Sequence, residues 1–256
     1  MPKVIDILKA RWAEVLLVVG FQTGVLFLFE QIVMTADEQA ASRRAAMPEH
    51  IAFLLGVGTM AFAIIAQMLY LGFLRTAYEE GITRWEPGQL LRIGRYYFWR
   101  VVRFSLLMAA AIVGLLIPLM SIAYAVTGIK PPEPLPVWAT GVVLICILIV
   151  LIKPMIFSQA IMIARDVMAL RSIGMLSEYR LTQAPGIVAI YILVLALGAG
   201  QSMIDKVFEL KGTLHYLLMG THYVVLSVAM LAMHLMALRV IKANEPPVVR
   251  PVEDTV

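Results

Sequence analysis

The sequence predicts an all-α fold, a polytopic membrane helix bundle with six transmembrane helices and both termini in the cytoplasm. Of its 256 residues, 61% are hydrophobic and 15% are charged, and the mean hydropathy is +0.86. Soluble domains have about 45–50% apolar and about 25% charged residues, so a soluble core could not absorb this chain. The apolar residues also fall into blocks of roughly 20, the helix length that crosses about 30 Å of hydrocarbon.

These blocks predict one six-helix domain over residues 1–242 and a flexible cytoplasmic tail over 243–256. A short amphipathic lead-in from Val4 to Trp12 precedes the first span. We predict that this span is not cleaved, because a signal peptide has an apolar region of only about 7–15 residues. Residues 35–49 are expected to form a loop. The predicted spans cover about residues 14–34, 50–74, 102–126, 137–163, 186–204 and 213–238.

The longest polar interval, residues 75–104, carries the densest basic charge. Its first part contains the helix breakers Gly81, Pro87 and Gly88, whereas residues 89–104 can form a helix. On that helix the arginines occupy an arc of about 140° opposite an apolar face. We predict an interfacial amphipathic helix that leads directly into the third span. The predicted contacts with lipid headgroups, those of anionic lipids above all, are Arg92, Arg95, Trp99, Arg100 and Arg103.

Two further features interrupt the second half of the chain. Lys153 and Pro154 lie inside the fourth apolar run, and a kink or break is expected there because proline disfavours the helical conformation of the residue before it. Residues 165–185 interleave Arg171, Glu178 and Arg180 with apolar residues. This pattern predicts a second interfacial amphipathic helix on the same side of the membrane.

The distribution of positive charge predicts the orientation. With the amino terminus inside, 15 Lys and Arg residues lie on the inner side and five on the outer side, while Lys153 lies within a span. The excess places both termini in the cytoplasm. The same arginines could act only to set the orientation of the spans, with the neighbouring aromatic residues at the membrane interface. That role is compatible with headgroup contact.

Two charged residues, Lys153 and Glu30, lie well inside predicted spans rather than at the first two positions of one. An ionisable group at this depth is costly and by default suggests a function. Lys153 could instead extend its amine to the inner interface, and Glu30 could pair with Arg43 or Arg44 of the adjoining loop.

Pairs of small residues four positions apart occur in three of the predicted spans. Such pairs let helices approach closely, within one subunit or between subunits. They are Gly20 and Gly24, Ala110 and Gly114, and Ala196 and Gly200.

The sequence gives little indication of metal binding or catalysis. His50, His215 and His222 could lie near the outer interface, but nothing fixes a ligand set, and lone histidines at helix ends are typical of interfacial polar residues. We therefore expect no metal and no cofactor. Nucleotide-binding, hydrolase and metalloprotease motifs do not occur, so we predict no enzymatic activity. Nucleic-acid binding is disfavoured because the arginine segment is short and half embedded.

Two short phrases resemble a known family. They are Glu79-Glu80-Gly81 near the end of the second span, and residues 165–180, which contain Ala169-Leu170-Arg171-Ser172. The chain resembles bacterial six-span membrane domains of poorly defined function, found alone or fused to glycerophosphodiester phosphodiesterases. The resemblance implies a stand-alone multi-pass domain of the bacterial inner membrane, since no segment here could form a catalytic barrel.

The sequence thus favours a non-enzymatic inner-membrane protein that engages lipid headgroups, a protein partner or a second copy of itself, in membrane organisation or complex assembly. The alternative is a transporter or channel for a small or amphiphilic substrate, with Lys153 and Glu30 in its pathway.

Overall fold

The computed structural model describes residues 3–42, 49–130, 133–208 and 213–245, and all regular secondary structure within them is helical. Two 3₁₀ turns, Met175–Glu178 and Leu181–Gln183, lie between the helices Ala169–Gly174 and Pro185–Phe208. The α-helices of the described chain are α1 Val4–Ala10, α2 Trp12–Ser42, α3 Glu49–Glu79, α4 Pro87–Thr127, α5 Val137–Arg165, α6 Ala169–Gly174, α7 Pro185–Phe208 and α8 Thr213–Ala243.

Five of these helices are long and apolar enough to cross a membrane. The qualifying segments are Trp12–Glu30, Phe53–Glu79, Pro87–Thr127, Trp138–Arg165 and Leu214–Ala243. In α7 the apolar segment is the shorter Pro185–Gly198. Each of the six predicted spans lies within one observed α-helix. The chain is a multi-pass membrane protein, and a sixth crossing by α7 stays a prediction.

Three local predictions are wrong. Residues 35–42 continue α2 and do not begin a loop, because this alanine-rich and glutamate-containing segment has high helix propensity and no Gly or Pro. The predicted break at Pro154 is wrong, because α5 continues through this residue and neighbouring helices make proline tolerable in membrane helices; a kink there stays a prediction. Residues 165–185 do not form one amphipathic helix, since Asp166 ends α5 in the left-handed conformation (φ 54°) and only short helical pieces follow.

The predicted interfacial helix and the third span form one continuous helix, α4. Its 41 residues correspond to a length of about 60 Å, twice the thickness of the hydrocarbon layer. The residues that α4 buries in its first half are Leu90, Gly94, Tyr97, Val101 and Phe104. Their spacing of three or four positions places them on one face, which packs against α3.

α3 and α4 approach each other to backbone contact. A Cβ atom added to Gly72 would lie 2.0 Å from the carbonyl oxygen of Leu90, and one added to Gly94 would lie 1.7 Å from that of Met68. Both distances are far below van der Waals contact, so the two backbones meet where neither helix has a side chain. Glycine is required at both positions by this close packing.

The bundle has two distinct halves. At one end α2, α4 and α7 begin, and α3, α5 and α8 end. We call the half at this end the basic half and the other the distal half. The larger apolar core lies in the basic half and includes Phe73, Phe104, Phe157 and Leu235. The second cluster consists of Val143, Ile147 and Leu151 of α5, packed against α4 between Met108 and Ala123.

Candidate membrane-lipid surface

One face of α4 presents Arg92, Arg95, Trp99 and Arg103 to the outside of the protein. Their spacing of three or four residues forms a single stripe along the helix, which we call the arginine stripe. All four are exposed, and Trp99 is 67% exposed. No residue in the described ranges forms an ion pair or side-chain hydrogen bond with the three arginines. Free guanidinium groups beside an exposed indole suit contact with phosphate headgroups.

The same face of α4 becomes apolar directly after the arginine stripe. Leu106, Val113 and Ile117 follow at helical spacing and are 66%, 55% and 64% exposed. From Leu106 to Val126 the helix measures about 30 Å, which equals the hydrocarbon thickness of a bilayer. The change from cationic to apolar between Arg103 and Leu106 is the pattern of a helix that enters hydrocarbon there.

Arg100 differs from the other predicted headgroup contacts. Its guanidinium forms an ion pair with Asp166, and its side chain is 14% exposed. The hydroxyl of Tyr96 donates to the second carboxylate oxygen of Asp166 at 3.1 Å, and the Arg100 guanidinium carbon lies 4.7 Å from the centre of the Tyr96 ring. Arg100 therefore joins α4 to the residue after α5.

The most deeply buried cation is Arg11, whose side chain is 0% exposed between α1 and α2. It forms an ion pair with Glu14 and donates to the Thr76 hydroxyl at 2.7 Å, and its guanidinium lies 4.5 Å from the centre of the Phe73 ring. Burial lowers the pKa of Arg11, and the charge of Glu14 opposes that shift. Glu14 also accepts a hydrogen bond from the backbone N–H of Trp85 at 2.6 Å. The pair thus connects the start of α2 with both α3 and the α3–α4 connection.

Further cations of the basic half also reach across helix boundaries. Arg75 of α3 donates to the carbonyl oxygen of Ala164 at 3.1 Å. Lys242 of α8 donates to the carbonyl oxygen of Tyr78 at 2.7 Å. Arg165 forms an ion pair with Glu178 at 2.8 Å. These contacts tie α3, α8 and the segment after α5 to one another.

The two predicted intramembrane charges lie in different surroundings. Lys153 is partly exposed and makes no ion pair or side-chain hydrogen bond within the described ranges. It precedes Met155 by two residues, and beyond Met155 no large apolar side chain of α5 is exposed. Glu30 lies close to the Tyr223 hydroxyl of α8. Arg43 and Arg44, the partners predicted for Glu30, lie outside the described residues.

Polar groups follow one face of α8 through the bundle. Ser227 lies four residues after Tyr223, and its hydroxyl is 3.4 Å from that of Thr23 in α2. The Nδ1 atom of the buried His234 is 2.7 Å from the hydroxyl of Tyr70 in α3. α8 therefore presents a row of hydroxyl and imidazole groups to α2 and α3.

The predicted small-residue pairs do not lie at the closest helix contacts. A Cβ atom added to Gly20, Gly114 or Gly200 would meet nothing within 4 Å, whereas one added to Gly24 would lie 3.0 Å from the Phe62 ring. Their two alanine partners, Ala110 and Ala196, are exposed. Apart from Gly24, these positions leave the outside of the bundle open to another helix.

Histidine, cysteine and carboxylate side chains do not assemble into a metal site among the described residues. His222 lies near Gly198 of α7, with its ring 3.8 Å from a Cβ atom added there. The side chain of His50 lies outside the described part of the chain. The expectation that the chain takes no metal stays a prediction.

Several central residues were missed by the sequence prediction. The Arg11–Glu14 pair was visible as opposite charges three positions apart, but its burial depends on α3. Isolated glycines within helical segments, such as Gly72 and Gly94, were a usable signal, because a glycine there costs stability unless close packing requires it. Asp166 gave no signal of its own.

The chain matches no protein-family model, and comparison with the curated proteins and with the solved structures finds no similar chain. The two phrases that carry the predicted resemblance both contribute to the basic half, where Glu79 forms an ion pair with Arg75 and Glu178 with Arg165. The resemblance itself stays a prediction.

Proposed function

We propose that this chain is a non-enzymatic protein of the bacterial inner membrane that holds anionic lipid headgroups on the arginine stripe of α4. In this proposal six helices cross the membrane and the basic half faces the cytoplasm. The lipid contact serves membrane organisation or the assembly of a complex, with another protein or with a second copy of this chain.

The observation that carries the proposal is that arginines on one helix differ in whether they have an acidic partner. Arg100 is taken up by Asp166, whereas Arg92, Arg95 and Arg103 stay exposed without an acidic partner among the described residues. A surface that served only internal packing would pair them as well. Each basic residue near an anionic membrane surface contributes about 1 kcal/mol to its attraction.

The position of the stripe supports the same conclusion. It lies immediately before the exposed apolar surface of α4 that begins at Leu106, so its guanidinium groups lie at headgroup depth when Leu106–Val126 occupies the hydrocarbon. Lys153 fits this placement, because the exposed apolar surface of α5 ends two residues later at Met155. Its amine can reach the same interface.

The test is the lipid content of the purified protein. A variant with Arg92→Gln, Arg95→Gln and Arg103→Gln is extracted in mild detergent, and the bound phosphatidylglycerol and phosphatidylethanolamine are quantified by mass spectrometry. We expect the ratio of anionic to zwitterionic lipid to fall several-fold. The matched control removes three exposed charges away from the stripe, with Lys9→Gln, Lys130→Gln and Arg171→Gln. An equal fall in both variants, or no fall in either, contradicts the role of the stripe.

A transporter is the second candidate, and the polar row of α8 favours it. Glu30, the Thr23–Ser227 contact and the Tyr70–His234 hydrogen bond line the interfaces of α8 with α2 and α3. Flux measurements in proteoliposomes test this function. If the chain is a transporter, Glu30→Gln and Lys153→Gln reduce the flux of its substrate. In an assembly protein the same changes alter only stability or the recovery of partners, which are measured in the same preparations.

A further inference from the structure

A cleft opens in the basic half between α1, the start of α7 and the last turns of α8. Its volume is about 390 Å³, and its walls include Val4, Gln183, Gly186, Met236, Arg239 and Val240. This size and a mostly apolar lining with few polar groups are typical of sites for small ligands. The cleft contains none of the arginines of α4, so it is separate from the arginine stripe.

The polar groups of the cleft are donors. The side-chain oxygen of Gln183 already accepts a hydrogen bond from the backbone N–H of Arg180 at 3.1 Å, which leaves its NH₂ group to donate. Arg239 is exposed, and its guanidinium has no ion pair or hydrogen bond with any residue that the structure describes. Among the residues that the structure describes, none that lines the cleft is acidic. Its charge is therefore complementary to an anion.

The start of α7 adds to this complementarity. α7 begins at Pro185, beside the cleft, and the amino-terminal end of a helix carries partial positive charge. The nearby Lys242 is engaged by the carbonyl oxygen of Tyr78, so Arg239 is the cation of this end of α8 that remains available.

The apolar walls lead towards the membrane. The helices that flank the cleft expose apolar side chains further along, Ile192 and Leu193 on α7 and Val224 and Val228 on α8. A ligand with a charged head at Arg239 and an apolar tail can follow the walls towards this surface. A soluble anion would leave the apolar walls in contact with water.

We propose that this cleft binds one anionic phospholipid, with its phosphate on the Arg239 guanidinium and the Gln183 amide, and with part of one acyl chain against Val4, Met236 and Val240. The site goes beyond the charge attraction proposed for α4, because it holds a single lipid in a defined cleft. It does not depend on the arginine stripe.

Native mass spectrometry of the full chain in mild detergent tests the site. Phosphatidylglycerol is titrated against phosphatidylcholine with the same acyl chains, and the first bound lipid is measured. We expect the protein to prefer phosphatidylglycerol and Arg239→Gln to weaken its first binding step about tenfold. Arg171→Gln, which removes the same charge from an exposed position outside both the cleft and the arginine stripe, is expected to leave that step unchanged. Equal weakening by both substitutions, or equal affinity for the two lipids, would overturn the proposal.

A second variant separates loss of the site from loss of the fold. Leucine at Gly186 directs a side chain towards Met236, since its Cβ would lie 3.1 Å from the methionine sulfur, and it narrows the cleft without removing charge. We expect Gly186→Leu to weaken lipid binding as Arg239→Gln does. The unfolding temperature of each variant is expected to stay within a few degrees of that of the parent protein. Unchanged lipid binding in a folded Gly186→Leu variant contradicts the proposal. Binding that appears only after removal of residues 246–256 would assign the cleft to the tail of the chain instead.

Discussion

In the basic half, cationic side chains reach from one helix to another, whereas in the distal half the described contact between α4 and α5 is made by apolar side chains. Arg11, Arg75, Arg100 and Lys242 each bond to a group on another element of the basic half. The α5 side of the distal contact consists of Val143, Ile147 and Leu151. Specific polar contacts and close backbone packing are therefore concentrated in the basic half.

This difference indicates which interactions hold the helices in a defined arrangement. Lipid tails are as apolar as leucine, so burial of apolar surface does little to associate helices inside a bilayer. Close packing and hydrogen bonds remain, and both occur in the basic half. We therefore expect substitutions there to be costly, and comparable substitutions in the distal half to be tolerated.

The largest effect is expected at the crossing of α3 and α4. Alanine at Gly94 places its Cβ 1.7 Å from the Met68 carbonyl oxygen, so the helices must separate. We expect Gly94→Ala to lower the free energy of unfolding by at least about 3 kcal/mol, or to prevent recovery of monodisperse protein. Thermal unfolding in detergent, followed by circular dichroism, measures this loss.

The matched substitution in the same helix is Gly114→Ala. Its Cβ would meet nothing within 4 Å, so replacing a mid-helix glycine is expected to be neutral or to stabilise by up to about 1 kcal/mol. Similar losses from the two substitutions would remove the contrast between the halves.

The next effect concerns the buried Arg11–Glu14 pair. Arg11→Met leaves the carboxylate without its partner, and we expect a loss of about 3–5 kcal/mol, as for other broken buried pairs. Glu14→Gln isolates the guanidinium in the same way. The double variant is expected to lose less than the sum of the single losses, because no unpaired charge remains. Unfolding of all three variants gives the coupling, and strict additivity would show that the two groups do not act as a pair.

A smaller effect is expected for Arg100 and Asp166, where the carboxylate side chain is 48% exposed. Exposed ion pairs contribute about 0.2–1 kcal/mol, because water and salt screen the charges. The cycle of Arg100→Gln and Asp166→Asn should give a coupling in this range that shrinks when salt is raised. A coupling above that of Arg11 and Glu14 would reverse the ranking of buried and exposed pairs.

The smallest effect is expected near the middle of the bundle, at Thr23 and Ser227. Their hydroxyl oxygens lie 3.4 Å apart, at the long limit for a hydrogen bond. Interhelical hydrogen bonds in membranes contribute about 0.6 kcal/mol on average. We expect Thr23→Val to change stability by no more than about that amount. A loss as large as that of Arg11→Met would show that this polar contact stabilises the fold as much as the buried ion pair does.

The sequence predicted five long apolar helices well, because each depends on a local property, a block of apolar residues of bilayer length. It could not predict which positions meet. Gly20 and Gly24 had the familiar spacing, yet the backbone contacts fall on Gly72 and Gly94, which are set by how α3 and α4 cross. The arginines of α4 were grouped by their helical face, but Arg100 is distinguished only by Asp166, which is 66 residues away in the chain.

The continuity of α4 has a mechanical consequence. One helix carries both the arginine stripe and the exposed apolar surface that begins at Leu106, and the helix is continuous between Arg103 and Leu106. From Gly94, where α4 crosses α3, to Val113 it measures about 28 Å, so a rotation of about 5° about the crossing displaces Val113 by about 2.5 Å. A force on the headgroup side of α4 is therefore transmitted along the rigid helix into the bilayer. The helix pivots where Gly94 packs against α3.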